Sequence, residues 1–384
     1  MKLRSLTTQN FRNLIAAETA FHPTTNLLIG RNGQGKTNVL EAIYFLATTK
    51  SFRTSRIASV FRFHEANVFV SGALERQDLE KTLSVGLGAS SSAVDRWPLA
   101  EEGRGSTANG ERRTANGPRR VLMINGEKVT LPAYLHAMSV FAYSSARLDI
   151  LRGAPEERRR FLDRGIASLN PAYLEQLTRY GRVLKQRNAL LHDVATKRET
   201  PASLDAWDDE LRTAAAVVHR ARDAYAADLA VAFRDIVARH GYHVANVELL
   251  YRPSLVDAFD RRAELRARMS LVGPQRDNID FVIDGRPAAE VLSGGEQKMI
   301  VLFLKFAKLE LFRRRQDEPP LFLLDDIDAE LDLEILQALL TKLPASTQLF
   351  ATSAKEVVLH ALEAGPHRRL SIENGRVTAT RDFG

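Results

Sequence analysis

The chain has 384 residues, a formal net charge of +7 at pH 7 and no cysteine. A chain of this length forms two or three domains, and the missing thiols exclude disulfides, zinc–thiolate sites and iron–sulfur clusters. No apolar run approaches the length of a membrane span and the first residues lack the apolar core of a signal peptide, so we expect a cytoplasmic protein. The positive net charge favours an anionic partner, either nucleic acid or lipid.

The N-terminal segment predicts a strand, a glycine-rich loop and a helix in direct succession. Residues 26–29 are a short apolar run, and apolar residues recur at helical spacing at Val39, Ile43 and Leu46. Residues 30–37 between them read Gly-Arg-Asn-Gly-Gln-Gly-Lys-Thr, which fits the pattern G-x-x-x-x-G-K-[ST]. The flanking strand and helix are the context that a phosphate-binding loop requires.

Residues 88–120 differ in composition from the rest of the chain. They are rich in Gly, Arg, Asn and Thr, and they lack hydrophobic periodicity. We expect a disordered insertion within a hairpin, and we favour a tolerated surface loop over a DNA contact. The sheet resumes at residues 121–129, where Asn125-Gly126 predicts a tight hairpin turn.

Residues 155–240 predict two helices. Apolar residues follow helical spacing over residues 174–194 and again over 204–236, and Pro201 between them is placed to open the second helix. The pair predicts a short antiparallel helical arm. Such an arm is far too short to be the long coiled coil of a chromosome-condensing protein.

The C-terminal part returns to alternating strands and helices. Residues 281–285 predict a strand with a turn, residues 299–312 a helix, and residues 348–353 a parallel strand. The fully apolar run at residues 321–324 is typical of a strand buried in the parallel centre of an α/β sheet. The order of elements therefore predicts an α/β fold.

The glycine-rich loop supplies the groups that a nucleoside triphosphate needs. Only glycine lets backbone N–H groups curl closely around phosphates, and the following helix directs its positive end at them. Lys36 is predicted to reach the β- and γ-phosphates, and the Thr37 hydroxyl to ligate Mg²⁺. The predicted nucleotide-binding set in the loop is Gly30, Arg31, Asn32, Gly33, Gln34, Gly35, Lys36 and Thr37.

Two carboxylates, Asp325 and Asp326, end the apolar strand. A hard cation prefers oxygen ligands, so Asp325 is predicted to hold Mg²⁺, directly or through water. Asp326 is predicted to orient and polarise the attacking water. The alternative is that the two acids only cap the end of the strand and have no catalytic role. At the end of the next strand, Thr352 or Ser353 is a candidate sensor of the γ-phosphate. The alternative is that both are ordinary hydroxyls at a strand end, without a sensing role.

Residues 292–297 read Leu-Ser-Gly-Gly-Glu-Gln and open the helix that follows. They contain a capping-box pattern, so a well-capped helix is the simplest interpretation. The functional interpretation is an ABC-type signature motif that contacts the γ-phosphate held by a second copy of the chain, which makes a composite site on two-fold dimerisation. The residues predicted to make this contact are Ser293, Gly294, Gly295 and Glu296.

The wide separation of the phosphate loop and the signature motif favours a split ATPase head over a transporter cassette. We therefore predict an α/β ABC-type head, with an antiparallel β subdomain, formed by residues 1–150 and 246–384, and a helical arm domain over residues 151–245. Residues 328–332 resemble the D-loop that crosses the dimer seam, and Asp332 is expected to contact nucleotide there. The rival classes are a transporter ATPase, which needs membrane subunits, and a P-loop small-molecule kinase, which lacks a signature motif.

The chain resembles the RecF family of bacterial recombination mediators, which is related to the SMC ATPase heads. The resemblance covers most of the length outside residues 88–120. Its most family-specific stretch is Gly-x-Pro-x-x-Arg-Arg-x-Phe-Leu-Asp, which begins at Gly153. Besides the phosphate loop, the paired aspartates and the D-loop, it rests on residues 10–13, 41–44, 51–53, 153–163 and 273–277.

The resemblance implies a cytoplasmic, weak DNA-stimulated ATPase that uses ATP and Mg²⁺, forms an ATP-dependent homodimer and binds duplex DNA at gaps and junctions. It also implies that the protein acts with RecR, and with RecO, to load a recombinase on gaps coated by single-strand-binding protein. Arg12 is implied to contact the nucleotide. Residues 293–297 are closer to the SMC form of the signature. The alternative is therefore a divergent SMC-like paralogue, which would be an ATP-gated DNA clamp with a different partner.

Two groups of arginines, within residues 152–164 and 261–268, are candidate DNA contacts. Arginines at helical spacing can follow a phosphate backbone, but each group also contains acids, so a salt-bridged helix face is an equal alternative. The sequence contains no helix-turn-helix, zinc finger or aromatic stacking platform that would indicate sequence-specific base reading.

Overall fold

The computed structural model describes residues 1–54, 56–76, 79–88, 119–144, 148–240, 247–316, 318–327, 333–341, 343, 346–355, 363 and 365–384. The chain divides into two compact units, Met1–Arg147 with Gln316–Gly384, and Leu148–Arg315. Most of the predicted insertion and the whole predicted D-loop, including Asp332, lie outside the described residues, so both stay predictions.

The described residues form the following elements. The strands are β1 Lys2–Gln9, β2 Ala17–Ala20, β3 Thr25–Ile29, β4 Asn67–Arg76, β5 Leu79–Gly88, β6 Arg119–Ile124, β7 Glu127–Lys128, β8 Val140–Ser144, β9 Val247–Arg252, β10 Asn278–Ile283, β11 Arg286–Pro287, β12 Leu321–Asp325, β13 Leu349–Ser353, β14 His367–Glu373 and β15 Arg376–Phe383. The helices are α1 Lys36–Thr48, α2 Leu131–Ala137, α3 Asp149–Arg152, α4 Pro155–Leu169, α5 Tyr173–Ala195, α6 Asp205–Arg239, α7 Arg261–Ala267, α8 Ala288–Val291, α9 Gly294–Arg315 and α10 Leu333–Leu340.

The first unit contains a six-stranded sheet in the order β15-β14-β3-β13-β12-β8. Strands β14, β3, β13, β12 and β8 run parallel, and β15 is an antiparallel edge strand. β12 and β13 are buried along their whole length, which explains why they read as continuous apolar runs and confirms the predicted parallel strands. The carboxyl ends of β3, β8, β12 and β13 meet at one edge of the sheet, where the phosphate loop, Asp325 and Asp326 lie.

The same unit contains a second six-stranded sheet, β2-β1-β4-β5-β6-β7, which is antiparallel. The turn between β6 and β7 has positive φ at Asn125 (52°) and Gly126 (80°), which confirms the predicted hairpin. Helix α1 is buried along most of its length and shares one apolar core with both sheets, including Leu6 of β1, Val85 of β5 and Leu323 of β12. This packing on two sides fixes the N-terminus of α1, and with it the phosphate loop.

The second unit contains helices α3 to α9 and a three-stranded antiparallel sheet, β11-β10-β9. Helices α5 and α6 pack against each other, but Pro201 opens a separate 3₁₀ turn, Pro201–Leu204, and α6 begins only at Asp205. Residues 247–315 lie in one compact unit with the two arm helices, because β9 and α9 both pack on α6. The predicted division into an ATPase head, residues 1–150 and 246–384, and a helical arm, residues 151–245, stays a prediction. In neither unit does a described helix have the length and apolar character needed to cross a membrane.

A buried polar network stabilises this second unit. The fully buried Asp277 carboxylate accepts hydrogen bonds from Arg222 at 2.7 Å and Tyr251 at 2.5 Å, and His219 Nε2 lies 3.1 Å from it. Burial raises the pKa of Asp277, but the hydrogen bonds outweigh this effect and hold the pKa below its ordinary value. Asp277 therefore joins α6 to the sheet that contains β9 and β10.

Candidate nucleotide-binding site

The phosphate loop connects the end of β3 to the start of α1. Gly30, Gly33 and Gly35 have φ values of 153°, 81° and 113°, a region that residues with side chains rarely adopt. A Cβ atom on Gly30 would lie 2.4 Å from the carbonyl oxygen of Ile372 in β14. Glycine is therefore required for the curl of the loop and for its close contact with the sheet. The exposed part of the loop is Arg31, Asn32 and Gly33.

Lys36 is the first residue of α1, and its side chain folds back over the loop. Its Nζ donates to the carbonyl oxygens of Gly30 at 2.6 Å and Arg31 at 3.1 Å. The ammonium group therefore lies near the N-terminus of α1, where the helix dipole and the backbone N–H groups favour an anion. This arrangement can hold the β- and γ-phosphates of a nucleotide.

Asp325, the last residue of β12, is the centre of a hydroxyl cluster. Its Oδ1 accepts hydrogen bonds from Thr37 at 2.8 Å and Thr352 at 2.9 Å, and its Oδ2 accepts one from Ser144 at 3.3 Å. Burial raises the pKa of Asp325, the hydrogen bonds oppose this rise, and the nearby charge of Asp326 adds to it. The Thr37 hydroxyl and the Asp325 carboxylate are the oxygen donors that Mg²⁺ prefers, so these residues fit that ion.

Asp326 is exposed at the same sheet edge and has a φ of 53°. Its backbone N–H donates to the Thr352 hydroxyl at 2.8 Å, so one buried hydroxyl holds the carboxylate of Asp325 and the backbone of Asp326. Burial, and then the charge of Asp326, raises the pKa of Tyr143. The catalytic role of Asp326 and the sensing role of Thr352 stay predictions.

Arg12 precedes the phosphate loop in sequence and pairs with α1. Its guanidinium donates to both oxygens of the fully buried Glu41 carboxylate, at 3.0 and 2.7 Å. Ser51 donates to the same carboxylate at 2.5 Å, and an Arg53 nitrogen lies 3.6 Å from it. Glu41 therefore holds Arg12 in one orientation, and a nucleotide contact by Arg12 stays a prediction. The pairing of these motif residues was missed at the level of sequence, because nothing in either motif indicates its partner.

The turn between β14 and β15 contacts the phosphate loop, which sequence patterns did not indicate. The backbone N–H groups of Gly375 and Asn374 donate to the main-chain and side-chain oxygens of Gln34, at 2.8 and 2.7 Å. A Cβ atom on Gly375 would lie 2.1 Å from the carbonyl oxygen of Asn13, and Gly375 itself has a φ of 75°. We call Gln34, Asn374 and Gly375 the loop clamp. It fixes the middle of the phosphate loop to the C-terminal hairpin.

Replacing Gly375 by alanine should weaken nucleotide binding about fivefold to a hundredfold, the equivalent of the ~1–3 kcal/mol that overpacking costs. The added Cβ displaces the Asn13 backbone and opens the loop clamp. Titration with a fluorescent ATP analogue measures the loss. Gly126→Ala is the matched control, because Gly126 occupies a similar Asn-Gly turn with a φ of 80° and its Cβ would meet no atom within 4 Å. Equal affinities in the two variants would show that the clamp does not shape the loop.

The signature motif lies at the start of α9 in the second unit. The backbone N–H of Ser293 donates to the Glu296 carboxylate at 2.7 Å, and the Glu296 N–H donates to the Ser293 hydroxyl at 3.4 Å. This reciprocal pair is the predicted capping box. Ser293 and Gly294 are exposed, and a Cβ on Gly294 or Gly295 would meet no described atom within 4 Å. A ligand can therefore approach the motif closely, and its contact with a second copy stays a prediction.

The two arginine groups differ in their surroundings. Arg160 pairs with two glutamates of its own helix, and Arg159 donates to a backbone carbonyl oxygen. These contacts favour the salt-bridged interpretation for the first group. In the second group, Arg261 pairs with Asp205 and Asp208. The exposed arginines of that group are Arg262, Arg266 and Arg268.

Comparisons with known sequences give one family. A family model described as the RecF/RecN/SMC N terminal domain matches residues 2–364. The chain is 34% identical over 402 residues to the DNA replication and repair protein RecF of Anaeromyxobacter sp. (strain Fw109-5), over 98% of this chain and 99% of that protein. It is 30% identical over 401 residues to the DNA replication and repair protein RecF of Geotalea daltonii, over 98% and 100% of the two chains.

Solved structures have the same fold. The structure of the recombination mediator protein RecF-ATPrS in the RecFOR pathway matches with a TM-score of 0.77 and 25% identity, over 98% of this chain and 97% of that chain. An Smc head bound to the C-winged helix domain of ScpA matches with a TM-score of 0.51 and 14% identity, over 100% and 97%, which shows the fold alone. The fold is that of an SMC-type ABC ATPase head, and the chain belongs to the RecF family.

Proposed function

We propose that the chain is an ATP-gated DNA-binding protein of recombinational repair. Two copies dimerise around ATP and Mg²⁺, and the dimer holds duplex DNA at gaps and junctions between single and double strands. With RecR and RecO as partners, it helps to load a recombinase on single-stranded DNA in the cytoplasm. Slow, DNA-stimulated hydrolysis then releases the dimer.

The observation that carries this proposal is the hydrogen bond between Thr37 and Asp325, which joins the phosphate loop to the strand-end carboxylates across 288 positions of sequence. Lys36 and the loop N–H groups bind and orient the phosphates. Thr37 and Asp325 hold Mg²⁺, which neutralises phosphate charge when bound. Asp326 orients the attacking water, and Thr352 fixes the backbone of Asp326.

Dimerisation is supported by the exposure of the signature motif. Ser293 and Gly294 are exposed at the N-terminus of α9, where the helix dipole favours an anion. In the proposed dimer, that anion is the γ-phosphate bound by the second copy. Each nucleotide then bridges the two chains, so ATP closes the dimer and hydrolysis opens it.

Replacing Ser293 by arginine should abolish ATP-dependent dimerisation and leave ATP binding by the single chain unchanged. The bulky cation blocks the approach of the second copy, and hydrolysis should fall roughly a hundredfold or more, as when one transition-state contact is removed. Ser293→Thr keeps the hydroxyl and the capping box and serves as the control. Light scattering and phosphate release measure the two effects, and an ATP-dependent dimer of the arginine variant would contradict the composite site.

DNA retention tests the function as a whole. The full-length protein is mixed with gapped or intact duplex in the presence of ATP or ADP, and we expect retention with ATP and a preference for the gap. Recombinase loading on gapped DNA coated by single-strand-binding protein is then measured with and without RecR and RecO. Loading that does not respond to them favours the divergent paralogue with a different partner, and no DNA retention with ATP would contradict the proposal.

A further inference from the structure

One aromatic side chain of the first unit has no packing role. Phe63 is 85% exposed, the largest fraction among the bulky apolar side chains of the described residues. It lies in a turn that follows a short 3₁₀ turn, Ile57–Val60, and precedes β4. Its exposure forgoes the gain of burying an aromatic ring, so packing does not explain a phenylalanine at this position.

The turn that carries Phe63 is fixed to the rest of the unit. The backbone N–H of Arg62 donates to the carbonyl oxygen of Asn10 at 2.8 Å, and the Asn10 side chain donates to Glu65 at 3.1 Å. His64 has a φ of 67°, which closes the turn tightly. The turn therefore holds Phe63 at a fixed, exposed position.

The segment around Phe63 carries two exposed arginines and one exposed acid, Glu65. The ring centroid of His64 lies 3.9 Å from that of Phe63, and Arg62 and Arg56 are exposed on the same segment. Across the part of the chain that the structure describes, the guanidinium groups of Arg56 and Arg62 make no hydrogen bond or ion pair. Their charge is therefore available to an anionic partner.

An exposed aromatic ring on a segment with two exposed arginines matches the chemistry of a nucleic acid with an unpaired base. Phosphates meet the guanidinium groups, and the face of a base stacks on the ring. The bases of an intact duplex are already stacked on each other, so only a gap or a strand end offers a base to Phe63. The ring and the arginines together match the two parts of a nucleotide, its base and its phosphate.

We infer that Phe63, with Arg56 and Arg62, forms a stacking contact for an unpaired base at the edge of a DNA gap. This contact gives the ATP-bound protein its preference for gapped over intact duplex. The inference rests on the proposed DNA-binding function and adds the residue that selects the DNA structure.

Phe63→Ala tests the inference in the full-length protein with ATP. Fluorescence anisotropy should show that its affinity for a gapped duplex falls about fivefold to a hundredfold, the range for one lost base–aromatic stack, while its affinity for intact duplex is unchanged. Phe63→Trp should restore gap binding. Leu79→Ala removes a side chain that is 64% exposed at the start of β5 in the same unit, and it should have no effect.

An abasic site in place of the unpaired nucleotide supplies the second arm. The abasic site should lower the DNA affinity of the wild-type protein to that of Phe63→Ala, and it should leave the DNA affinity of Phe63→Ala unchanged. The stacking contact would be overturned if the abasic site and Phe63→Ala lowered the affinity additively. It would also be overturned if Phe63→Ala lowered the affinity for gapped and intact duplex equally. Full gap affinity in Phe63→Ala would also overturn it and would point to an acidic protein as the partner. If the wild-type protein retains no DNA with ATP, the proposed function fails independently of Phe63.

Discussion

Replacing Lys36 by arginine should reduce ATP hydrolysis roughly a hundredfold or more. The Lys36 ammonium lies within hydrogen-bond distance of the Gly30 and Arg31 carbonyl oxygens, inside the curl of the loop. A planar guanidinium with five fixed donors does not fit the position of a compact ammonium group. We therefore expect the phosphate contact, nucleotide affinity and ATP-dependent dimerisation to be lost together. Steady-state phosphate release and titration with a fluorescent ATP analogue measure these losses.

The control for this substitution is Lys128→Arg, which makes the same chemical change at an exposed position in β7. It should hydrolyse ATP at the wild-type rate. Thermal melting of both variants separates a loss of chemistry from a loss of fold. A Lys36→Arg protein that hydrolyses ATP as fast as the wild type would show that the loop at residues 30–37 is not the nucleotide site.

Replacing Asp326 by asparagine should preserve ATP binding and reduce hydrolysis roughly a hundredfold to ten-thousandfold, the usual contribution of a positioned acid or base. The amide keeps the size of the side chain but cannot polarise the attacking water. Because hydrolysis is the proposed release step, the ATP-bound dimer should accumulate. Phosphate release gives the rate, and size-exclusion chromatography after ATP addition gives the lifetime of the dimer.

Asp284→Asn is the matched control, since Asp284 is also exposed and has a φ of 49° against 53° for Asp326. Asparagine tolerates this backbone region well, so neither variant should lose stability. Asp284 lies in the turn between β10 and β11 and has no proposed role in hydrolysis. Wild-type hydrolysis in Asp326→Asn would mean that the second acid merely caps the strand.

The phosphate loop and the strand end could be predicted because each is a local pattern. Residues 30–37 carry their own backbone requirements, and the all-apolar run before Asp325 is typical of a buried parallel strand. Since β3 and β12 are parallel strands of one sheet, their carboxyl ends share an edge. The 2.8 Å contact between Thr37 and Asp325 follows from that topology.

The rest of the site depends on contacts between distant segments. Asn374-Gly375 forms the turn between β14 and β15, and only the placement of β14 beside β3 brings this turn to Gln34, 340 positions away in sequence. Glu41 likewise reads as one polar residue of a helix until the fold buries it opposite Arg12. The placement of residues 247–315 in one compact unit with the two arm helices depends on the packing of α9 and β9 on α6, which no local pattern encodes.

ATP-gated dimerisation is tested most directly by the light-scattering mass of the full-length protein with ADP, with ATP, and with ATP plus a gapped duplex. We expect the mass of one chain with ADP, twice that mass with ATP, and a further increase equal to the mass of the bound DNA in the third condition. The mass of one chain in all three conditions, with no DNA retained, would contradict both the composite site and the DNA-holding dimer.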